Sequence, residues 1–259
     1  MTLQASSHAR FVWHDLMTSD VDGARKFYGT LFGWKFVGAH DPKDPYLHLE
    51  SAGVMFGGLV TLAQPGMPPH WLAYVGVGDV DDCVLRAVRC GGKLAVPPRE
   101  IPGVGRFAVI ADPAGAHLLP FRPLEPTGPE REVQPEDRRF CWDELLTPDA
   151  QRAGTFYSEV FGWQVQEVPM GPHGTYYLLK RGALDAAGIM QMPPDAAAPS
   201  HWLSYVAVPD VDASARTIRE LGGKLWVEPR DIPGIGRFAV AADPQGASFA
   251  VFRRLTNAA

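Results

Sequence analysis

The chain repeats one long pattern twice, and this internal duplication constrains its fold more than any other feature. The segment HWLAYVGVGDVDDCVLRAVRCGGKLAVPPREIPGVGRFAVIADPAGA begins at His70, and HWLSYVAVPDVDASARTIRELGGKLWVEPRDIPGIGRFAVAADPQGA begins at His201. Upstream, FVWHDLMTSD from Phe11 is matched by FCWDELLTPD from Phe140. A duplicated chain predicts a pseudo-symmetric architecture, and positions where the copies differ are candidates for divided function.

Each copy reads as two βαβββ units in succession. The β-forming residues of FVWHDLMT predict a strand, and apolar residues at helical spacing from Val21 to Leu31 predict a helix after it. One of the polar residues 18–20 can cap this helix, and Gly33 ends it. Three short strands follow, and the same order recurs from His70, where Asp112 and the proline after it open a turn.

The joint between the copies lies in a Pro-rich, charged segment without apolar periodicity. This segment predicts a linker over residues 123–139, between a first domain of residues 1–122 and a second of residues 140–259. The fold class expected from four βαβββ units is therefore α+β.

Composition excludes several function classes. The 24 basic and 29 acidic residues give a net charge of −5 without a basic run, so no nucleic-acid partner is expected. No apolar stretch approaches the roughly 20 residues of a membrane span, and the N-terminus lacks a signal-peptide core, so a cytoplasmic location is expected. The three cysteines form no CxxC pair, and Cys83 and Cys90 are predicted to pack as small apolar residues.

Several motifs recur in the same order in both copies: W-x-[DE]-L-x-T-x-D, FY…FGW, D-V-D, GGK and RFAV…ADP-x-G. Together they resemble the vicinal oxygen chelate superfamily, which contains glyoxalase I, bleomycin-resistance proteins and extradiol dioxygenases. The resemblance covers nearly the whole chain outside the linker. It implies two tandem glyoxalase-like domains whose paired units curl into cups that hold the ligand. It does not define an activity, because the superfamily contains lyases, dioxygenases, transferases, epimerases and non-catalytic drug binders.

Chelating members of this superfamily bind a divalent metal through His, Gln or Glu at fixed positions. Counting from the helix-starting and turn-forming aspartates places those positions on Trp13, Leu72 and Leu119 in the first copy, and on Trp142, Leu203 and Ala250 in the second. None of these side chains can ligate such a cation. The sequence therefore predicts no metal and no other cofactor, with displaced ligands as the open alternative.

Strand alternation predicts which side chains line the cups. The candidate catalytic residues can move a proton or stabilise charge, and they are His117, His48, Glu50, Tyr74 and Asp15. The candidate ligand-binding residues are Trp13, Phe11, Tyr46, Leu72, Leu119, Phe121 and Arg106 in the first copy, with Trp142, Glu144 and Tyr205 in the second. An apolar pocket with a few convergent polar groups is the usual form of a small-molecule site.

Structural roles compete with these assignments. Asp15 and Glu144 occupy equivalent positions, so each could instead pair with an arginine, Arg106 or Arg237, that also recurs. The copies differ at His117, because Ser248 occupies the equivalent position in the second copy. They also differ along the Tyr46-His48-Glu50 strand, whose counterpart around Tyr176 and Leu178 is less polar. These differences predict one working cup, in the first half.

Three functions fit this pattern. The first is a metal-independent enzyme that binds a hydrophobic, aromatic small molecule and acts on it by acid–base chemistry, in cyclisation, dehydration, isomerisation or as a helper in tailoring. The second is a protein that sequesters a drug or metabolite, as bleomycin-resistance relatives do. The third is a metal-dependent lyase or dioxygenase with displaced ligands. The expected partner is a small molecule rather than a membrane, and the chain is expected to be a monomer or a homodimer.

Overall fold

The structure is a computed structural model that describes residues 9–38, 46–62, 66–125, 133–171, 174–196 and 198–255. Its first half contains β1 Phe11–Thr18, α1 Val21–Phe32, β2 Lys35–Val37, β3 Leu47–Ser51, β4 Val54–Thr61, β5 His70–Gly76, α2 Val80–Arg89, β6 Lys93–Ile101, β7 Gly105–Ala111 and β8 His117–Pro123. Its second half contains β9 Phe140–Thr147, α3 Ala150–Phe161, β10 Gln164–Pro169, β11 Thr175–Arg181, β12 Leu184–Gln191, β13 His201–Ala207, α4 Val211–Glu220, β14 Lys224–Ile232, β15 Gly236–Ala242 and β16 Ser248–Arg254.

The element order confirms the α+β fold built from four βαβββ units. The strands form two eight-stranded sheets with the orders β2-β3-β4-β1-β5-β8-β7-β6 and β10-β11-β12-β9-β13-β16-β15-β14. The second order is the first with every strand number raised by eight, as the sequence duplication predicts. Of the linker, the structure describes a 3₁₀ turn at Pro135–Asp137, whereas residues 126–132 lie outside the described residues.

Aspartates begin all four of these α-helices. Asp20 accepts a hydrogen bond from the backbone N–H of Gly23 at 2.9 Å, and Asp79, Asp149 and Asp210 make the equivalent bond. Asp20 is therefore the cap among the three candidates at residues 18–20. The αL conformation of Gly33, with φ 73°, confirms the predicted end of α1.

The described residues divide into two compact units, each assembled from both halves of the sequence. Within the described residues, the first unit comprises residues 9–12, 72–125, 143–171, 174–196 and 198–202. The second unit comprises residues 13–38, 46–62, 66–71, 133–142 and 203–255. Two consecutive domains at residues 1–122 and 140–259 stay a prediction.

Each unit has its own apolar core against its own helices. In the first unit, buried residues of α2, β7 and β8 join those of α3, β11 and β12, including Val84, Ile110 and Tyr157. In the second unit, buried residues of α1, β3 and β4 join those of α4, β15 and β16, including Phe27, Leu49 and Phe249. Burial of this apolar surface is the main stabilising contribution to each unit.

A buried Trp–Tyr–Asp hydrogen-bond network connects the two halves of the sequence within each unit. In the second unit, the Tyr28 hydroxyl accepts from Trp71 Nε1 at 3.2 Å and donates to Asp243 Oδ2 at 3.0 Å. Tyr157, Trp202 and Asp112 repeat this network in the first unit. Burial raises the pKa of both aspartates, and burial beside an aspartate raises the pKa of both tyrosines.

The aspartates of these networks also form the predicted turns. Asp112 Oδ1 accepts from the backbone N–H groups of Ala114 and Ala116, at 2.8 and 2.9 Å, which confirms the turn that Asp112 opens.

Cys83 is fully buried in the first-unit core, and burial raises its thiol pKa to about 12, so its role as a packing residue is confirmed. No helix in the described residues is both long and apolar enough to cross a membrane.

Candidate functional site

Four of the predicted site residues meet in the second unit. They are Trp13 and Asp15 of β1, Tyr46 immediately before β3, and His48 within β3, and we call them the Trp13 cluster. Trp13 Nε1 donates to Asp15 Oδ1 at 2.9 Å and to the Tyr46 hydroxyl at 2.8 Å. The Tyr46 hydroxyl donates to the same Asp15 oxygen at 2.7 Å. Asp15 is 4% exposed, and these bonds satisfy the carboxylate oxygen that burial removes from water.

A glycine on the strand between β1 and β3 makes the cluster possible. Gly58 of β4 pairs with Asp15 of β1 on one side and with His48 of β3 on the other. A β-carbon at Gly58 would overlap both the Tyr46 hydroxyl and Asp15 Oδ1. The missing side chain therefore leaves the space in which the phenol reaches the carboxylate.

His48 contributes the imidazole of the cluster. Its imidazole contacts the rings of Trp13 and Tyr46, with centroids 6.0 and 5.0 Å apart and planes nearly perpendicular at 78° and 74°. An imidazole that packs against two aromatic rings, both hydrogen-bonded to a buried carboxylate, is suited to accept and return a proton.

Glu50 lies two residues further along the same strand as His48 but makes a different contact. Its carboxylate forms an ion pair with Lys35 at 3.4 Å, and the register of β3 against β4 shifts between Leu49 and Glu50. The catalytic role predicted for Glu50 stays a prediction. The geometry favours Asp15, Tyr46 and His48, which belong to the Trp13 cluster.

Other predicted residues gather separately in the first unit. Tyr74 of β5 pairs with Leu119 of β8, and the Tyr74 and Phe121 rings meet edge to face at 5.8 Å. These side chains alternate with the core residues of the same strands, as expected for a shared face, and half-buried Leu72 precedes them on β5. His117 is exposed as the first residue of β8.

Phe11 and Arg106 have structural contacts. Phe11 packs on Trp163 and Trp202, with ring centroids 5.9 and 5.4 Å away, against the first-unit core. Arg106 binds Asp81 through two hydrogen bonds at 2.8 and 2.9 Å, and it also binds Glu100. A hydrogen bond from this guanidinium holds the pKa of Asp81 below its usual range.

The second copy makes the same arginine contacts, because Arg237 binds Asp212 and Asp231. The proposed pairing of these two arginines with Asp15 and Glu144 is therefore wrong: each arginine binds aspartate or glutamate side chains of its own βαβββ unit.

The third βαβββ unit repeats part of the Trp13 cluster with different chemistry. Glu144 of β9 pairs with Gly188 of β12, where a β-carbon would overlap the Tyr176 hydroxyl. Leu178 occupies the place of His48. The other predicted residues of this half are Trp142, half-buried on β9, and Tyr205, which lies 6.5 Å from the Phe238 ring.

The donor set does not fit the metal of the superfamily. Trp13, at the first expected ligand position, donates its indole N–H to Asp15 and Tyr46. Leu119, Leu203 and Ala250, at other expected positions, are buried apolar residues. Among the residues that the structure describes, no three His, Cys, Asp or Glu side chains come together as a metal site would require.

Two open concavities lie beside α3 in the first unit, and none of the predicted site residues lines them. One, of about 330 Å³, is lined by Cys90, Pro113, Arg152, Thr155, Phe156 and Glu159. The other, of about 350 Å³, is lined by residues of α3, β10 and β11.

Sequence reasoning missed two contributors to these sites. The need for glycine at position 58 could have been detected from the paired glycines inside the strand VMFGGLVT. Glycine within a strand often marks a place where another group approaches the backbone closely. The Tyr28–Asp243 bond joins residues 215 positions apart, and no local pattern indicates it.

Comparisons with known proteins agree with this architecture. The family model described as Glyoxalase/Bleomycin resistance protein/Dioxygenase superfamily matches residues 8–118 and residues 141–251, so both copies are recognised. A Mycobacterium tuberculosis protein named "Putative glyoxylase CFP32" is 36% identical over 248 residues, which is 93% of either chain. "Anthracycline biosynthesis protein DnrV" of Streptomyces peucetius is 32% identical over 255 residues, covering 92% of this chain and 91% of the relative.

Solved structures share the fold at low sequence identity. The Mn(II)-bound glyoxalase from Novosphingobium aromaticivorans superposes with a TM-score of 0.67 at 18% identity, over 96% of this chain and 83% of that one. The 2,3-dioxygenase LapB from Pseudomonas sp. KL28 gives a TM-score of 0.66 at 13% identity, over 96% of this chain and 93% of that one. At such identity the likeness supports the architecture alone.

Proposed function

Because the chain belongs to the Glyoxalase/Bleomycin resistance protein/Dioxygenase superfamily, we propose that it binds a hydroxylated aromatic small molecule and transfers protons on it without a metal. The observation that carries the proposal is the Trp13 cluster, in which an imidazole lies against two aromatic rings that both donate hydrogen bonds to a buried carboxylate. Redox-neutral reactions that begin by enolisation fit this equipment, namely isomerisation, dehydration and cyclisation.

The residues of the cluster divide the work as follows. His48 removes a proton from an activated C–H or O–H of the ligand and returns it at another position, so the step consumes no oxidant or reductant. Asp15 stabilises the positive charge that His48 gains, because a buried carboxylate interacts strongly with a nearby cation. Trp13 and Tyr46 hold Asp15 in place through their hydrogen bonds and supply an aromatic surface for the ligand.

The relatives support the choice of ligand class. DnrV, and DauV of Streptomyces sp. at 30% identity, are named as anthracycline biosynthesis proteins, and the match covers 92% of this chain in both cases. Their names suggest chemistry on polycyclic, hydroxylated rings, which suits the aromatic side chains of the cluster. The non-ligating residues at the expected chelate positions support a reaction without a Lewis acid.

The experiment is deuterium exchange into a probe with an acidic C–H. Full-length protein is incubated with 1,8-dihydroxyanthrone in D₂O, and deuterium at the methylene carbon is measured by mass spectrometry. Wild-type protein is expected to accelerate exchange over buffer. His48→Gln is expected to lower that acceleration by about 10²–10⁴-fold, with probe affinity nearly unchanged, because only proton transfer is removed.

His117→Gln is the matched control, because it makes the same substitution at the exposed histidine of the first copy. It is expected to exchange like wild type. If His117→Gln loses exchange and His48→Gln keeps it, the assignment of the base is overturned. If wild-type protein binds the probe and never accelerates exchange, the chain is a sequestering protein instead.

A further inference from the structure

The larger chemical asymmetry of the first unit lies beside α3, in the concavity of about 330 Å³ that we call the α2–α3 concavity. Cys90 at the end of α2 and Pro113 in the turn after β7 line one side of it, and residues of α3 line the other, among them buried Phe156. The Phe156 ring lies close to the backbone that follows α2, because a β-carbon at Gly92 would come within 2.9 Å of Phe156 Cε2. The concavity therefore has apolar walls that two packed helices hold in place.

Two oppositely charged side chains of α3 also line the α2–α3 concavity. Arg152 lies in the first turn of the helix and Glu159 in the last, so their α-carbons are about 10 Å apart. Among the residues that the structure describes, neither side chain forms an ion pair or a hydrogen bond. Arg86, which donates to the Val160 carbonyl next to Glu159, pairs with Asp82 instead. Both charges are thus available to a ligand in the concavity.

The charges of Arg152 and Glu159 oppose the dipole of their own helix. A helix N-terminus carries a partial positive charge and a C-terminus a partial negative one, so a base in the first turn and an acid in the last turn both destabilise α3. The helices α1, α2 and α4 have aspartates in their first turns, whereas α3 has no acid there. A carboxylate bound beside Arg152 and an ammonium group bound beside Glu159 would suit both the side chains and the dipole.

The copies differ at the residues that give the α2–α3 concavity its charge and its depth. Leu221 takes the place of Cys90 and packs against the second-unit core, and uncharged Gly23 and Thr30 of α1 take the places of the two charged residues. The phenylalanine and the proline of the lining recur in the second copy. The copies therefore share the framework of this surface and differ in what it can bind.

We propose that the α2–α3 concavity binds an apolar zwitterion, with its carboxylate at Arg152, its ammonium group at Glu159 and its hydrocarbon chain against Cys90, Pro113 and Phe156. Each charged end would make a charge-assisted hydrogen bond, and the chain would remove apolar surface from water. A ligand with a single charge would leave one of the two side chains unmatched and is expected to bind more weakly.

Isothermal titration calorimetry of the full-length chain with 8-aminooctanoate tests the site, because the two charged groups of this probe can extend over the distance between the two side chains. Wild-type protein is expected to bind one equivalent. Octanoate and octylamine, which each carry one charge, are expected to bind about fivefold more weakly or worse. Absence of binding by 8-aminooctanoate, or equal binding by octanoate, would overturn the proposal.

Arg152→Gln and Glu159→Gln test the two charges separately. Each is expected to weaken 8-aminooctanoate by about fivefold, to the level of the analogue that lacks the matching charge. Lys26→Gln is the matched control, because it removes an exposed cation from α1, and it is expected to bind like wild type. Identical titrations of Arg152→Gln and Lys26→Gln would overturn the assignment of the carboxylate.

Urea unfolding separates a binding role of Arg152 from a structural one. Arg152→Gln is expected to raise the midpoint of unfolding, because it removes a cation from the first turn of α3. Weaker binding together with a lower midpoint would show that Arg152 supports the fold, and it would overturn the proposal.

Exchanging one residue between the copies tests the concavity itself. Cys90→Leu introduces the residue of the second copy and is expected to fill the space and abolish binding, with circular dichroism as the check on folding. Leu221→Cys is the reverse exchange and is expected to keep a single equivalent, because Gly23 and Thr30 supply no charge. Unchanged binding by folded Cys90→Leu, or a second equivalent in Leu221→Cys, would overturn the site.

This site and the proposed function fail separately. Cys90 lies in the first unit and the Trp13 cluster in the second, so Cys90→Leu is expected to keep the deuterium exchange of wild type. Exchange without binding of 8-aminooctanoate would remove this site alone, and binding without exchange would remove proton transfer alone.

Discussion

Single side chains determine whether the Trp13 cluster can form. The sequence pattern predicted that Trp13 and Asp15 share one face of β1, and that Tyr46 and His48 share one face of another strand. It could not predict the register that places Gly58 between them, because register depends on tertiary pairing.

The same limit explains the residues that lie elsewhere. Phe11 continues the alternation of β1, yet it packs on Trp163 and Trp202, which belong to the other half of the sequence. His117 was assigned to a strand face by alternation, which says nothing about exposure at the first residue of the strand. Arg106 binds Asp81, 25 residues away, and only the packing of α2 reveals that contact.

Gly58→Ala tests the geometry of the cluster at the residue scale. The added β-carbon would overlap the Tyr46 hydroxyl and Asp15 Oδ1, so deuterium exchange is expected to fall by about tenfold or more as the reacting geometry is lost. Gly154→Ala is the control, because its β-carbon would only touch Val165 at an ordinary 3.5 Å. Wild-type exchange rates in Gly58→Ala would contradict the cluster as described.

At the scale of elements, the helices were the most predictable part and their anchoring was the least. The cap among residues 18–20 and the stop at Gly33 are marked by residue type alone, and the structure confirms both. The bonds from Tyr28 to Asp243 and from Tyr157 to Asp112 fasten a helix to a turn in the other half of the sequence. Residue patterns within one element carry no information about such a partner.

Tyr28 and Tyr157 make the free energy of unfolding fall at alkaline pH. Burial and the nearby aspartate raise their pKa well above the ordinary 10.0. The contribution of each tyrosine to stability is fully present below pH 10.0 and is lost as the pH rises through the folded-state pKa. The cause is that the tyrosine of the unfolded chain loses its proton at a lower pH than the buried tyrosine does. The loss is about 1.4 kcal/mol per pH unit for each tyrosine.

Urea unfolding from about pH 8 to about pH 11 measures this effect. The double variant Tyr28→Phe and Tyr157→Phe is expected to be less stable at neutral pH, by about 1–3 kcal/mol per site, since Trp71, Trp202 and the aspartates lose a partner. Its stability is expected to fall less steeply above pH 10.0 than that of wild type. Equal slopes would contradict the buried, protonated tyrosines.

At the scale of the whole molecule, duplication in sequence does not correspond to separation in space. Each compact unit draws segments from both copies, and each core includes residues from both. A duplicated sequence predicts a repeated architecture, but it does not predict which repeats share a core, because that choice depends on packing between distant segments.

A truncated chain tests this arrangement. Residues 1–125 alone would expose the core face of α2 that α3 covers and would leave Asp112 without Tyr157. The fragment is expected to unfold or to associate, because the exposed apolar surface must be buried elsewhere. Circular dichroism with analytical ultracentrifugation measures both outcomes, against the full chain. A stable, cooperatively folded monomer would show that the half is self-sufficient.

The central claim is proton transfer by the Trp13 cluster without a metal. The most direct measurement is deuterium exchange into 1,8-dihydroxyanthrone by full-length protein after exhaustive chelation, with and without added Mn²⁺, Fe²⁺, Ni²⁺ or Zn²⁺. The account predicts that chelated wild-type protein accelerates exchange, that added metal changes nothing, and that His48→Gln is inactive under every condition. Exchange that disappears on chelation and returns with one of these metals would contradict it.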